Sequence, residues 1–117
     1  MIELKKYFPN LSHVQLKQFK RLFPIYNDWN SKVNLISRRD IENLFINHIL
    51  HSLSIVNIIK FKDTSSILDV GTGGGFPGIP LAIFFPNVKF TLLDSIGKKI
   101  KVVESVSKDL SLSLIHI

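Results

Sequence analysis

One stretch constrains the fold more than any other: residues 67–82, Ile-Leu-Asp-Val-Gly-Thr-Gly-Gly-Gly-Phe-Pro-Gly-Ile-Pro-Leu-Ala. Ile67, Leu68 and Val70 make a short apolar run that reads as a buried strand. Four of the chain's six glycines follow within five residues, Gly71 and Gly73 to Gly75. Beyond Pro77, residues 78–85 are apolar and compatible with a helix. Strand, glycine turn and helix together make a corner that receives a phosphate or a nucleoside cofactor. Glycine serves there because the backbone turns sharply and a ligand approaches where a Cβ would otherwise stand. The start of the helix offers free N–H groups and a partial positive charge.

The spacing narrows the choice of ligand. A P-loop requires Lys and then Ser or Thr after Gly78, where Ile79 and Pro80 stand. A dinucleotide fingerprint accommodates Gly71 and Gly73 but requires glycine at Phe76, so that helix and strand can pack closely. The pattern acid-x-Gly-x-Gly-x-Gly is met in full by Asp69, Gly71, Gly73 and Gly75. That is the S-adenosylmethionine corner of class I methyltransferases. A second strand is expected over 88–93, rich in β-formers and ending at Asp94. A carboxylate at that strand end can accept from both hydroxyls of a ribose, or it can cap the next helix.

The net charge of +6 is unevenly placed. Residues 1–62 hold ten Lys and Arg against four Asp and Glu, whereas residues 63–117 hold five of each. A basic segment beside a neutral cofactor unit suits a polyanionic substrate, though a lysine-rich solvated surface has the same composition. There is no cysteine, which excludes a disulfide framework and a thiolate metal site. The amino terminus lacks the apolar core of a signal peptide, and no apolar run reaches membrane-spanning length, so a cytoplasmic location is the default. At 117 residues the chain can bury one modest core.

Ser12 and Gln15 form a capping box ahead of apolar residues at helical spacing, Leu16, Phe19, Leu22 or Phe23, Tyr26, Trp29 and Val33. Pro24 is expected to kink or split that helix. Tyr26 and Trp29 read as core packing. A second helix is expected from about Asp40, its cap, to Lys60. Arg38 and Arg39 are the best phosphate ligands in this half, with pairing to Asp40 or Glu42 as the alternative. His48 and His51 lie three apart without a third ligand nearby, which is a poor metal motif; a helix histidine satisfied locally is the simpler reading. An amphipathic helix over 95–110 carries Lys98 and Lys99, which either touch substrate backbone or face solvent. Residues 112–117 can begin a third strand.

The segments Asp-Val-Gly-Thr-Gly-Gly-Gly-Phe-Pro-Gly-Ile-Pro-Leu-Ala and Thr-Leu-Leu-Asp-Ser-Ile-Gly-Lys-Lys closely resemble the RsmG family (glucose-inhibited division protein B). Trp29-Asn30, Asn34-Leu35-Ile36-Ser37 and His48-Ile49-Leu50-His51-Ser52-Leu53 extend the resemblance over nearly the whole chain, with His51 where the family usually has Asp. The resemblance implies a bacterial enzyme that methylates N7 of a guanosine in 16S ribosomal RNA, working as a monomer on the RNA or the small subunit. It implies an α/β fold, the class I methyltransferase domain with a Rossmann-like doubly wound parallel sheet, behind an N-terminal helical cap. Residues 1–62 would be the basic helical region and 63–117 the first part of the cofactor domain. The cofactor set is Asp69, Gly71, Gly73, Gly75, Phe76, Asp94 and Ser95; the RNA set is Arg38, Arg39, His48, Lys98 and Lys99. No metal and no catalytic acid, base or nucleophile is implied, because guanine N7 has a free lone pair at neutral pH. The family's sheet has seven strands, so this chain is expected to be an incomplete form without competence of its own. A non-catalytic RNA-binding remnant and a nicotinamide-dependent oxidoreductase fragment are the alternatives.

Overall fold

The computed structural model describes residues 2–33, 35–37 and 41–116. Arg38, Arg39 and the proposed Asp40 cap lie outside the described residues. The chain opens with α1, Ile2–Tyr7, and α2, His13–Asn30. The capping box at the start of α2 forms as the sequence requires: Gln15 N–H donates to Ser12 Oγ at 3.1 Å, and Ser12 N–H donates to Gln15 Oε1 at 2.9 Å. Helix α2 is not split. Pro24 lies inside a single helix whose Phe19, Leu22 and Tyr26 are buried.

The long second helix expected from Asp40 to Lys60 is not uniform. A π-helical turn spans Phe45–Leu50, one α turn spans His51–Leu53, and a 3₁₀ turn spans Ser54–Asn57. The changes of winding reposition successive apolar residues, and Ile49, Leu53 and Val56 all reach the core.

Then comes a parallel α/β unit: β1 (Ser66–Val70), α3 (Gly78–Phe84), β2 (Lys89–Leu93), α4 (Gly97–Asp109) and β3 (Ile115–His116). The strand order is β1-β2-β3, with Ser66 opposite Lys89 and Thr91 opposite Ile115. Parallel neighbours joined through a helix are what the strand–helix–strand pattern dictates. Helix α3 is buried from Gly78 to Ile83, and α4 buries Val102, Val103 and Val106.

Strand β1 is not the buried strand the apolar run implied. It is an outer strand of the described sheet, and Leu68 and Val70 are 59% and 69% exposed. Alternation turns Ile67 and Asp69 to the helix-covered face and leaves the other face open, because α3 and α4 cover only one side.

Helix α2 joins the helical part to the sheet by closing the carboxyl ends of both sheet helices. Gln15 Nε2 donates to the carbonyls of Ile83 and Phe84 at the end of α3, each at 3.1 Å. Gln18 Nε2 donates to Leu110 O and Arg21 Nη1 to Asp109 O, at the end of α4. These carbonyls have no partner inside their own helices, and amide or cationic donors match the negative end of the helix dipole.

Candidate functional site

The glycine turn lies at the carboxyl end of β1, where an open parallel sheet receives its ligands. Gly71 N–H and Thr72 N–H both donate to Leu93 O, at 2.8 and 3.0 Å, which ties the start of the turn to the end of β2. Gly71, Gly73 and Gly75 have φ of +70°, +61° and +114°. A side chain at any of them would strain the backbone.

Space divides these glycines into two kinds. A Cβ on Gly71 or Gly73 would meet nothing within 4 Å, whereas one on Gly75 would lie 2.6 Å from Ile79 Cγ1 and 2.8 Å from Tyr26 Oη. Gly75 is demanded by the protein's own packing. Gly71 and Gly73 border open space that a ligand can enter. The close approach of helix to strand is made elsewhere: a Cβ on Gly78 would stand 2.7–2.8 Å from three side-chain atoms of Leu92. Phe76 therefore does not have to supply it.

Two carboxylates organise the turn. Asp69 Oδ2 accepts from Thr72 Oγ1 at 2.7 Å and from Gly78 N–H at 3.1 Å, so it holds both ends of the loop. Burial raises its pKa above the usual carboxylate value, these two hydrogen bonds lower it in part, and the nearby Asp94 raises it further. Asp94 Oδ1 accepts from Ile96 N–H at 2.9 Å, and Oδ2 accepts from Gly73 N–H at 2.8 Å. The Ile96 and Gly73 hydrogen bonds hold its pKa below the usual value, with a smaller contribution from Lys99. Asp94 thus joins the tip of the glycine turn to the start of α4. The residue at the N-cap of α4 is Ile96, which makes no side-chain cap. A carboxylate offers about four acceptor positions, so two remain on Asp94 for ribose hydroxyls.

Ser95 is exposed at the bend after Asp94, and Lys98 and Lys99 sit on the first turn of α4. Asp69, Gly71, Gly73, Gly75 and Asp94 are brought together, with Ser95 and Lys99 next to them. Phe76 is half-buried, with its ring centroid 4.9 Å from Tyr26 and 5.2 Å from His48, so it is packed against the helical part of the chain.

Tyr26 is the residue that sequence reasoning missed. It is fully buried, as core packing requires, yet its hydroxyl donates to Gly74 O at 2.6 Å. No helical periodicity carries that information, because the partner is 48 residues away. His48 also departs from expectation: its Nε2 is shut off from solvent and has no hydrogen-bond partner among the described residues. Among the described residues no group of three or more His, Cys, Asp or Glu is arranged to hold a metal ion, and no helix is long and apolar enough to cross a membrane.

Comparison with known proteins gives one consistent result. Residues 15–117 match the family model described as rRNA small subunit methyltransferase G. A ribosomal RNA small subunit methyltransferase G of Bacteroides fragilis is 60% identical over 109 residues, covering 93% of this chain and 53% of the relative. The protein of that name in Flavobacterium johnsoniae is 56% identical over 112 residues, 96% of this chain and 54% of its own length. The one in Christiangramia forsetii is 60% identical over 109 residues, 93% and 52% respectively. The chain spans about half the length of the curated relatives it matches.

Proposed function

Because this chain belongs to the rRNA small subunit methyltransferase G family, we propose that it carries the S-adenosylmethionine corner and the basic helical cap of an enzyme that methylates N7 of a guanosine in 16S ribosomal RNA. The observation that carries the reading is the pair of left-handed glycines, Gly71 and Gly73, whose missing side chains leave open space beside the partly free carboxylate of Asp94. A nucleoside cofactor with an adjacent cationic centre fits that chemistry. When bound, the cofactor supplies an electrophilic methyl group on a sulfonium.

The chain's own residues then have distinct tasks. Asp94 accepts from the ribose hydroxyls with its two remaining positions. Asp69 keeps the loop shaped through Thr72 and Gly78. Gly71, Gly73 and Ser95 present backbone and a small side chain to the ligand. No side chain is needed as a proton acceptor, because guanine N7 carries its lone pair at neutral pH. Alignment of the base therefore replaces acid–base chemistry. Residues 1–62 form the RNA-facing region and 63–117 the cofactor region. Arg38 and Arg39 hold phosphates, which agrees with a positive surplus confined to residues 1–62, and Lys98 and Lys99 add contacts from the cofactor region.

Calorimetry with S-adenosylhomocysteine and with NAD tests the cofactor. Saturable binding of S-adenosylhomocysteine, weakened when Gly71 is replaced by a bulky residue, supports the reading. Tighter binding of NAD would sink it. RNA binding should fall steeply with salt and weaken in an Arg38→Ala, Arg39→Ala double variant. Unchanged affinity in that variant removes both residues from the RNA surface.

A further inference from the structure

A cavity of about 410 Å³ opens at the carboxyl end of α3, where Phe84 forms part of its wall. Seven residues of helix, about 10 Å, separate it from the glycine turn at the other end of α3. Its volume falls within the range of small-molecule sites, roughly 300–1,000 Å³. Besides α3, it is walled by the end of α1, the link over residues 8–11, the first turn of α2 and the 3₁₀ turn. These walls are tied down. Phe8 N–H donates to Leu4 O at 2.9 Å, Leu11 N–H donates to Phe8 O at 3.4 Å, and Leu4 and Leu11 are both buried. Ile58 N–H donates to Ile55 O at 3.0 Å, which closes the 3₁₀ turn. Gln15 holds the carbonyls of Ile83 and Phe84, so the end of α3 offers the cavity a ring rather than unmet acceptors. Fixed walls lose little freedom when a ligand enters.

The lining combines rings with donors. Phe8 and Phe84 stand edge to face, with centroids 5.1 Å apart and planes at 76°. The Tyr7 ring lies at the rim and is 64% exposed, a large apolar surface left in water beside an open cavity. A flat ring packs against such surroundings by stacking and by edge contacts. The amides of Asn10 and Asn57 and the ammonium of Lys60 supply donors. Lys60 is the only charged side chain in the lining among the described residues, and no carboxylate stands there to neutralise it. A single positive charge calls for a single negative one. A phosphate monoester carries about −1.5 to −2 at neutral pH and is typically met by arginine forks, and no arginine lines this cavity among the described residues. A carboxylate carries −1 and is satisfied by one ammonium and the neighbouring amides.

We propose that this cavity is a binding site for a small aryl carboxylate, with its ring system between Tyr7, Phe8 and Phe84 and its carboxylate on Lys60. The site is distinct from the cofactor corner and does not depend on the methyltransferase reading.

The test uses naphthalene-1-acetate as the probe. The chain has two tyrosines, Tyr7 in the lining and Tyr26 outside it, so their ring resonances in NMR give a reporter and an internal control. Naphthalene-1-acetamide, acetate and guanosine 5′-monophosphate are titrated in parallel. Saturable shifts at Tyr7 with naphthalene-1-acetate are expected, with Tyr26 still and acetate silent. The neutral acetamide should bind about two- to fivefold more weakly, the usual worth of one exposed ion pair. Lys60 is exposed, so Lys60→Gln leaves the fold intact, and it should bring naphthalene-1-acetate down to the level of the acetamide. A Tyr7 ring that stays silent at millimolar probe overturns the proposal, and so do equal shifts at Tyr26. Equal affinity for acid and acetamide, or unchanged affinity in Lys60→Gln, removes the carboxylate from Lys60 and overturns it. Tighter binding of guanosine 5′-monophosphate than of naphthalene-1-acetate at Tyr7 would assign the cavity to nucleotides and overturn it as well.

Discussion

Removing the Tyr26 hydroxyl isolates a hydrogen bond that runs from the helical cap to the glycine turn. Tyr26→Phe keeps the ring, its burial and its packing on Phe76, and deletes only the donor to Gly74 O. A buried acceptor that loses its partner costs about 1–3 kcal/mol. Gly74 is only half-buried, so water can replace part of the bond, and about 1–2 kcal/mol is expected. Unfolding entropy of roughly 2.1 cal/mol/K per residue then puts the fall in Tm at about 4–8 °C for this chain. Part of the loss falls on the order of the loop itself. If that part is about 0.7–1 kcal/mol, binding of S-adenosylhomocysteine weakens about three- to fivefold. Leu22→Ala is the control. It empties a fully buried site on the same helix and costs about 2–5 kcal/mol, without touching the turn. The assays are urea denaturation, with the midpoint shifting at constant m, and calorimetry at a temperature where both variants are folded. If Tyr26→Phe leaves midpoint and affinity unchanged, or if Leu22→Ala weakens binding equally, the hydroxyl does not order the loop.

Other perturbations separate packing from ligand approach. Gly78→Ala forces a Cβ against Leu92, and overpacking of about 1–3 kcal/mol should appear as a lowered urea midpoint; a neutral outcome would mean that α3 shifts freely. Gly73→Ala meets no atom but keeps a left-handed φ, so about 1–2 kcal/mol of backbone strain is expected, read as a fall in Tm; an unchanged Tm refutes it. The two carboxylates have opposite pH signatures. Asp94 titrates below its unfolded value, so it adds stability above about pH 4 that is lost as pH falls through the depressed pKa. Asp69 titrates above its unfolded value, so its favourable contribution is present below about pH 4 and lost as pH rises through the raised pKa. Asp94→Asn should flatten the acid limb of the urea midpoint against pH, and superimposable limbs would exclude Asp94 as its source.

The corner was legible because its requirements are local. A strand, glycines at a fixed spacing and an acid at the next strand end determine one another within about twenty-five residues: Gly73 N–H donates to Asp94, and Asp69 accepts from Thr72 and Gly78 across the same turn. The Ser12–Gln15 capping box is local too. What could not be read was non-local. The spacing gives Gln15 a place only in the cap of its own helix, and the folded chain shows the same side chain also closing α3 through Ile83 and Phe84. Tyr26 has helical spacing and an apolar ring, so periodicity sends it to the core and is silent about its hydroxyl. The exposure of Leu68 and Val70 escaped because an apolar run does not say how many faces of its sheet are covered. The winding changes between Phe45 and Asn57 escaped because i, i+3 and i, i+4 spacing tolerates α, π and 3₁₀ turns alike.

The donors of α2 have a consequence for the order of events during synthesis. Helix α2 is made before the whole sheet, yet Gln15 waits 68 residues for Ile83, and Gln18 waits 92 for Leu110. At about 5–20 residues per second, that is roughly 3–18 s during which Phe19, Leu22 and Tyr26 have no sheet helix to cover them. A nascent chain in this interval presents one apolar stripe on an 18-residue helix, the kind of surface that chaperones bind. The glycine turn is translated within that interval, and the Tyr26 hydroxyl is already made when Gly74 appears. The last partner to be made is the end of α4, so α2 completes its contacts only when residues 109 and 110 have been added.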